Sequence, residues 1–289
     1  MQQLFTQVTV IGPGLIGGSF VRALRQADAV KRIVGIDRNP ENLADALRLG
    51  VIDEAADSVK SGVSDADLVF IAVPVRSIAS VVAEITPFLK PGCIVTDGGS
   101  VKEEIVVACE PLMPAGCHFV GGHPIAGTEH SGAAAAFAEL FHGRRCILTP
   151  TPSTDSSALE LVRKAWESAG SRVECMDAQT HDRVFAAVSH LPHMVAYALV
   201  HAVDRSAEEE ENILAFSAGG FRDFTRIASS DPVMWRDIAL MNRTALLDML
   251  DRYTVEFTAL RERVASGDAV WLEDFFSTSK RLRDSISQR

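Results

Sequence analysis

Apolar and polar positions fall into two regimes along the chain. As far as about Met176, short β-branched or apolar runs alternate with stretches of helical period. Beyond it the strand pattern stops, and helix-forming sequence continues with few breakers to Arg289. The predicted strands are Gln7–Ile11, Arg32–Ile36, Leu68–Val73, Cys93–Thr96, His118–Val120, Cys146–Thr149 and Arg172–Glu174. Helices are predicted near Leu15–Gln26, Pro40–Leu49, Ile78–Phe88, Glu103–Met113 and Ser156–Ala169. Such alternation builds a parallel sheet with helices on both faces. The run Val69-Phe70-Ile71-Ala72-Val73 has the continuous apolar character of a strand buried on both sides. The expected architecture is α/β, a mostly parallel sheet over residues 1–176 followed by an all-α domain over residues 177–289. In the second region Asp231-Pro232 reads as an N-cap followed by proline at the first helical position. Val233–Ala265 is then expected as one helix of roughly 50 Å, at about 1.5 Å per residue. Its apolar residues, among them Trp235, Ile238, Leu246, Leu250 and Phe257, occupy more than one face. That favours intertwined packing with a second subunit over a purely intramolecular bundle.

The junction between the first strand and the first helix carries the next signal. Val8-Thr9-Val10-Ile11 runs into Gly12-Pro13-Gly14-Leu15-Ile16-Gly17, a G-x-G-x-x-G that opens a helix. Gly12 permits the tight turn, Gly14 lets backbone approach a pyrophosphate, and Gly17 lets helix pack close to strand. Leu15 and Ile16 then lie at a helix N-terminus that faces the phosphates. Asp37 ends the second strand 20 residues after Gly17, where a carboxylate accepts from ribose hydroxyls. Its alternative role is a turn residue before Asn39-Pro40. Together these features make the first domain Rossmann-like and dinucleotide-binding. Asp37 repels a 2′-phosphate and so favours NAD, while Arg38 offsets part of that repulsion and leaves NADP as a secondary cofactor. Val73, Pro74 and Ser77 follow another strand end and are expected to line the cofactor cleft.

Composition narrows the partners. The chain has 289 residues, 47% of them apolar, and a formal charge of −10. It is long enough for a real core and too apolar for disorder. The acidic balance argues against nucleic acid or an anionic membrane surface as the partner. An anionic substrate therefore needs a local cluster of basic residues. The five cysteines are odd in number and form no C-x-x-C, as expected of buried thiols in a reducing cytoplasm. The N-terminus has no signal-peptide pattern, and no uninterrupted apolar segment is expected to span a bilayer.

Several polar groups stand where chemistry needs them. Gly121-Gly122-His123-Pro124-Ile125-Ala126-Gly127-Thr128-Glu129 sets one histidine between glycines and before a proline. Glycines admit close approach of backbone to a ligand and proline fixes the path, so His123 is either a positioned proton acceptor or a turn residue facing water. Asp97-Gly98-Gly99-Ser100-Val101-Lys102 follows a strand, which puts Ser100 in a loop at the sheet's C-terminal edge, as a substrate contact, a helix cap or both. Arg222 and Arg226 lie four residues apart, on one face if helical, and would clamp carboxylates. His181, His190 and His193 invite a metal reading. With no H-E-x-x-H and no carboxylate at ligand spacing, no metal is expected. Pro192 is expected to kink or start a helix, leaving the directions of His190 and His193 open.

These motifs, in this order, resemble the prephenate/arogenate dehydrogenase family of tyrosine biosynthesis. The matching segments are Gly12-Pro13-Gly14-Leu15-Ile16-Gly17-Gly18-Ser19, Asp97 to Lys102, Gly122 to Gly127 and Ser189-His190-Leu191-Pro192-His193. Gly220 to Ala228 and Asp231-Pro232-Val233-Met234-Trp235 complete them. The resemblance implies oxidative decarboxylation of prephenate or arogenate, with hydride transfer to NAD, in a homodimer joined through its C-terminal helices. It implies that His123 accepts the ring-hydroxyl proton, that Ser100 orients the pair, and that Arg226 holds a substrate carboxylate beside His193. Glu129 and Asp223 match acidic positions at the site entrance. Arg222 stands where the family commonly has lysine, which keeps the charge and changes the contact geometry. The alternatives are a β-hydroxyacid-type dehydrogenase and a non-catalytic dinucleotide-sensing regulator. The first uses a helical lysine, and only Lys280 lies beyond Lys164. The second needs no coherent His123, Ser100 and Arg226.

Overall fold

The computed structural model describes residues 3–128, 130–206 and 213–286. Among them, strands β1 (Phe5–Ile11), β2 (Val30–Ile36), β3 (Glu54–Ala55), β4 (Leu68–Ile71), β5 (Ile94–Asp97), β6 (His118–Pro124), β7 (Arg145–Thr149) and β8 (Arg172–Cys175) form one sheet. The helices are α1 (Leu15–Gln26), α2 (Pro40–Arg48), α3 (Val59–Val63), α4 (Ile78–Ile85), α5 (Glu103–Cys109), α6 (Ser156–Ser168), α7 (Ala178–Phe185), α8 (Leu191–Ser206), α9 (Gly219–Thr225), α10 (Pro232–Met241), α11 (Arg243–Ser266) and α12 (Ala269–Ile286). The strand order is β3-β2-β1-β4-β5-β6-β7-β8. Pairing is parallel from β3 to β6; β7 is antiparallel to β6, and β8 is parallel to β7. This is the expected Rossmann-like, mostly parallel sheet followed by helices.

The period-2 geometry of a strand explains the unbroken apolar run in β4. Leu68 and Phe70 join one core cluster, whereas Val69 and Ile71 join the other, on the opposite face. On the first face Phe20, Phe70 and Trp166 meet with ring centroids 4.4–5.5 Å apart. Burying each such ring stabilises the fold by about 1.5–3 kcal/mol. On the second face Ile78, Val82 and Ile105 bring α4 and α5 onto the sheet. The order reverses at β1, which lies between β2 and β4, so a crevice opens at the C-terminal ends of β1 and β4.

Helix ends depart from the sequence pattern for local reasons. The runs expected to continue to Phe88 and Met113 tighten into 3₁₀ turns at Thr86–Phe88 and Glu110–Leu112. Each turn contains a proline, which cannot donate the next α-helical hydrogen bond. The single helix expected over Val233–Ala265 is divided. Asn242 leaves the helical region at φ −100° and ψ 33°, between α10 and α11. Its buried amide donates to the Asp182 carbonyl at 2.8 Å and meets His190 Nδ1 at 3.0 Å. The chain forms two compact units, one ending at Asn242 and the other beginning at Arg243.

From Ala178 to Arg205 the chain is continuously helical and, by length and composition, apolar enough to cross a membrane. The expectation that no run has this character is thus corrected. Its first turns carry His181 and Asp182, both buried and hydrogen-bonded within the protein. A π-helical turn, Ala186–His190, joins α7 to α8 just before Pro192. The wider turn accommodates a residue that lacks the amide an α-helix needs, so the proline neither stops nor starts the helix.

Candidate active site

At the nucleotide end, Gly12 has φ +85°, and a Cβ there would lie 2.5 Å from the Ala72 carbonyl oxygen. Only glycine lets the end of β1 pass that close to the end of β4. A Cβ on Gly17 would lie 2.2 Å from the Gly12 oxygen, so this position serves helix–strand packing. At Gly14 the nearest atom would be 3.9 Å away, which leaves its surroundings open. Gly14 is also the N-cap of α1 and has no side-chain cap, so the first-turn amides of Leu15 and Ile16 face the crevice uncapped. Val73 and Ser77 are half-buried and Pro74 exposed, in the segment leaving β4 beside Gly12. These features fit a dinucleotide diphosphate.

Asp37 is half-buried just after β2. Its Oδ1 accepts from the Asn39 amide at 2.8 Å and its Oδ2 from Asn42 Nδ2 at 2.6 Å. Asn42 Oδ1 in turn accepts from the Ala133 amide at 2.8 Å. Asn42 therefore ties the Asp37 carboxylate to the loop after β6, a link no motif in the sequence announces. Arg38 is exposed beside it.

At the other strand ends, β5 and β6 bring together the candidate catalytic residues. The Asp97 carboxylate accepts from the Gly99 amide at 2.8 Å and from the Gly122 amide at 3.1 Å. One side chain thereby fixes the residues preceding Ser100 and His123. Lys102 is buried behind them, salt-bridged to Asp97 and donating to the Gly122 carbonyl at 2.9 Å. The expectation that the glycines before His123 serve close approach to a ligand is corrected by their packing. A Cβ on Gly121 would lie 2.5 Å from Thr149 Oγ1, and one on Gly122 2.9 Å from the Asp97 oxygen, so both are small to let the strands pack.

His123 lies in β6 and is buried, which corrects the picture of a turn residue facing water. Its Nδ1 is 2.8 Å from His181 Nε2, and His181 Nδ1 is 2.8 Å from Asp182 Oδ1. Phe185 packs against both rings, at centroid distances of 4.8 and 4.5 Å. Burial pushes His123 well below the usual imidazole range, and His181, Lys102 and His190 act in the same direction. Burial also lowers His181 against the opposing pull of Asp182. A buried, neutral imidazole can accept a proton near neutral pH.

Ser100 is half-buried and does not cap α5. The cap comes from 80 residues further along, with Asp182 accepting from the Lys102 amide at 2.8 Å and the Glu103 amide at 2.9 Å. Asp182 and Lys102 were not legible as site residues, because the sequence separation hides both contacts.

The substrate-facing candidates gather on α8, α9 and the turn after it. His193 Nδ1 donates to the Ser189 carbonyl at 2.9 Å, and its ring stacks on Trp235 with centroids 3.6 Å apart. Burial lowers the His193 pKa, and the nearby Arg226 guanidinium adds to that effect. Arg222 and Asp223 are exposed on α9. Arg226, also exposed, caps α9 with helical backbone angles before the chain tightens into a 3₁₀ turn, which places it one turn beyond Arg222. Glu129 lies outside the described residues.

Comparison with known proteins gives this geometry a family. The nucleotide-binding domain model of prephenate dehydrogenase matches residues 20–175, and the dimerization domain model of the same family matches residues 177–278. Prephenate dehydrogenase of Bacillus subtilis is 40% identical over 290 residues, covering 100% of this chain and 78% of that protein. Cyclohexadienyl dehydrogenase of Zymomonas mobilis is 38% identical over 283 residues, covering 97% of this chain and 96% of that protein. The crystal structure of prephenate dehydrogenase from A. aeolicus, in complex with hydroxyphenyl propionate and NAD+, is 38% identical. It superposes with a TM-score of 0.92, over 97% of this chain and 98% of its own. With both domain models matched in order and the same fold along nearly the whole length, the chain belongs to the prephenate dehydrogenase family.

Proposed function

We propose that this protein catalyses the NAD-dependent oxidative decarboxylation of prephenate to 4-hydroxyphenylpyruvate, a step of tyrosine biosynthesis. The observation that carries the reading is the buried His123, held at the sheet edge that also bears the dinucleotide fingerprint. NAD, held by Gly12, Gly14, Leu15, Ile16, Gly17, Asp37, Arg38, Val73, Pro74 and Ser77, accepts the hydride from the ring carbinol carbon when bound. His123 takes the proton of the ring hydroxyl, and Ser100 orients that hydroxyl. Loss of the ring carboxylate as CO2 leaves its bonding pair in the ring, which becomes aromatic. The proton then returns from His123 to the phenolic oxygen, so the base is regenerated. Arg226 holds a substrate carboxylate, with His193 and Arg222 beside it, and Asp223 and Glu129 border the entrance.

The kinship with a cyclohexadienyl dehydrogenase favours arogenate as a second substrate. Asp37 favours NAD, with NADP in secondary use. The functional division falls at residues 176/177, where sheet gives way to helix. Homodimerisation through the C-terminal helices is supported by the dimerization-domain match and by exposed apolar residues on α11 and α12, among them Val255, Phe257, Val264 and Phe276. Four buried free thiols, Cys93, Cys109, Cys117 and Cys146, favour a reducing cytoplasm. The test is an assay of purified protein with NAD and each substrate, following NADH and CO2. Formation of both with prephenate is expected. No turnover with prephenate or arogenate, under conditions where NAD binds, overturns the reading.

A further inference from the structure

A neutral histidine accepts a proton only on the nitrogen that lacks one, so a base needs the right tautomer as well as the right place. At His123 the tautomer follows from a chain of contacts that begins on α7. The backbone amides of Lys102 and Glu103 can only donate, and they engage both oxygens of Asp182. The Asp182 carboxylate also faces His181 Nδ1 at 2.8 Å, where it acts as acceptor and His181 as donor. A neutral His181 with its hydrogen on Nδ1 presents a lone pair on Nε2. That lone pair lies 2.8 Å from His123 Nδ1, which must therefore carry the hydrogen. The lone pair of His123 is left on Nε2. This atom makes no hydrogen bond among the described residues and is not among their buried, unpartnered polar atoms.

We propose that Asp182 and His181 are positioning residues that fix His123 as its Nδ1–H tautomer and so aim the Nε2 lone pair at the substrate hydroxyl. The proposal rests on the reading of His123 as proton acceptor. In the step itself the substrate O–H bond breaks, its electron pair forms the C=O bond as hydride leaves the carbinol carbon, and an N–H bond forms on His123 Nε2; decarboxylation then returns that pair to the phenolic oxygen. The resulting imidazolium keeps its Nδ1–H on His181, whose own Nδ1–H stays on Asp182, and the same proton later returns to the phenolic oxygen. No second proton moves along the relay. His181 has no solvent exposure, so water does not compete for either of its nitrogens. The other polar groups around the two rings are Lys102, Asp97 and His190, and none of them is hydrogen-bonded to a ring nitrogen of His123 or His181.

The test is ¹⁵N NMR of the full-length protein labelled in its histidine rings, without substrate, with His123 signals assigned by their loss in His123→Asn. A pyrrole-type Nδ1 and a pyridine-type Nε2 on His123 are expected, and the reverse pattern overturns the relay whatever the activity. Two variants add a kinetic readout. His181→Phe removes the acceptor, and kcat should fall by about 10²-fold, the lower end of what a positioned base contributes. KM and NAD affinity should stay within about twofold. His181→Gln offers an amide oxygen to His123 Nδ1–H and should recover most of the rate. A wild-type rate in folded His181→Phe overturns the relay. A wild-type rate in His123→Asn instead sinks the base assignment on which the relay rests.

Discussion

Asp97 and Lys102 form an ion pair in which neither side chain has any solvent exposure, directly behind the strand that carries His123. Each also bonds the backbone of Gly122, Asp97 accepting from its amide at 3.1 Å and Lys102 donating to its carbonyl at 2.9 Å. Removing two charges from water costs several kcal/mol per ion, and only close geometry with further hydrogen bonds offsets it. Here the pair grips Gly122 through both of its backbone polar groups, next to His123, and holds the Ser100 loop through Gly99.

Breaking that pair on one side should be far worse than removing both charges. Lys102→Met leaves a carboxylate uncompensated in the interior and should cost about 3–5 kcal/mol in urea unfolding. The double variant Asp97→Asn/Lys102→Met should recover a large part of that loss. A Lys102→Met protein as stable as wild type would show that the pair does not hold the two loops.

His123→Asn should lower kcat by about 10²–10⁴-fold, the range for losing a general base, with NAD binding intact. The pH profile supplies a second check. If His123 is the base, the neutral imidazole is the active form, and burial lowers its pKa in the free enzyme. Activity should therefore persist as pH falls through 6.5, the ordinary histidine value, and be lost only as pH passes below the lowered pKa. An acidic limb of kcat/KM above neutrality contradicts the assignment.

Cofactor choice should respond to Asn42 as well as to Asp37. The Asn42 amide fixes the Asp37 carboxylate at 2.6 Å and the Ala133 loop at 2.8 Å. Hydrogen bonds to charged groups contribute about 1.5–3 kcal/mol, so Asn42→Ala should weaken NAD by about tenfold or more. Asp37→Ser should lose a similar amount for NAD and shift the NADP to NAD ratio of kcat/KM upward. Equal loss for both cofactors in Asp37→Ser would mean that the carboxylate does not discriminate the 2′-position.

The elements that were legible in the sequence are those fixed by neighbours within one helical turn or one strand. The fingerprint from Gly12 to Gly17, the alternation that buries β4 on both faces, and the Asp231-Pro232 start of α10 are all of this kind. What escaped depends on contacts between distant segments. Asp182 caps α5 across 80 residues, Asn42 reaches Ala133 across 91, and Asn242 leaves its helix to bond His190 across 52. His181 was visible only as one histidine among several, because its role depends on the two residues that flank it in space. The glycines before His123 were visible, but their purpose was misjudged, since only the packing of β6 on Thr149 and Asp97 shows why a side chain cannot fit.

Stability should fall in mildly acidic solution, and His190 supplies much of the slope. Burial lowers its pKa from 6.5 to about 4, while its Nδ1 is engaged by Asn242 at 3.0 Å. The unfolded chain binds this proton more readily than the folded one. The stability tied to the neutral ring is therefore complete above pH 6.5 and is lost as pH falls toward the folded value near 4. Lowering the ring from 6.5 to about 4 corresponds to about 3 kcal/mol in total, of which about 2 kcal/mol disappears by roughly pH 5. His123 and His181 are also lowered by burial and act in the same direction. His190→Gln can keep a hydrogen bond to Asn242 and cannot titrate. Urea unfolding at pH 7, 6 and 5 should show wild type losing stability more steeply than His190→Gln, with the two curves converging in slope above the ordinary histidine pKa. Parallel curves across the whole range would mean that the ring at position 190 is already free to take up its proton in the folded protein.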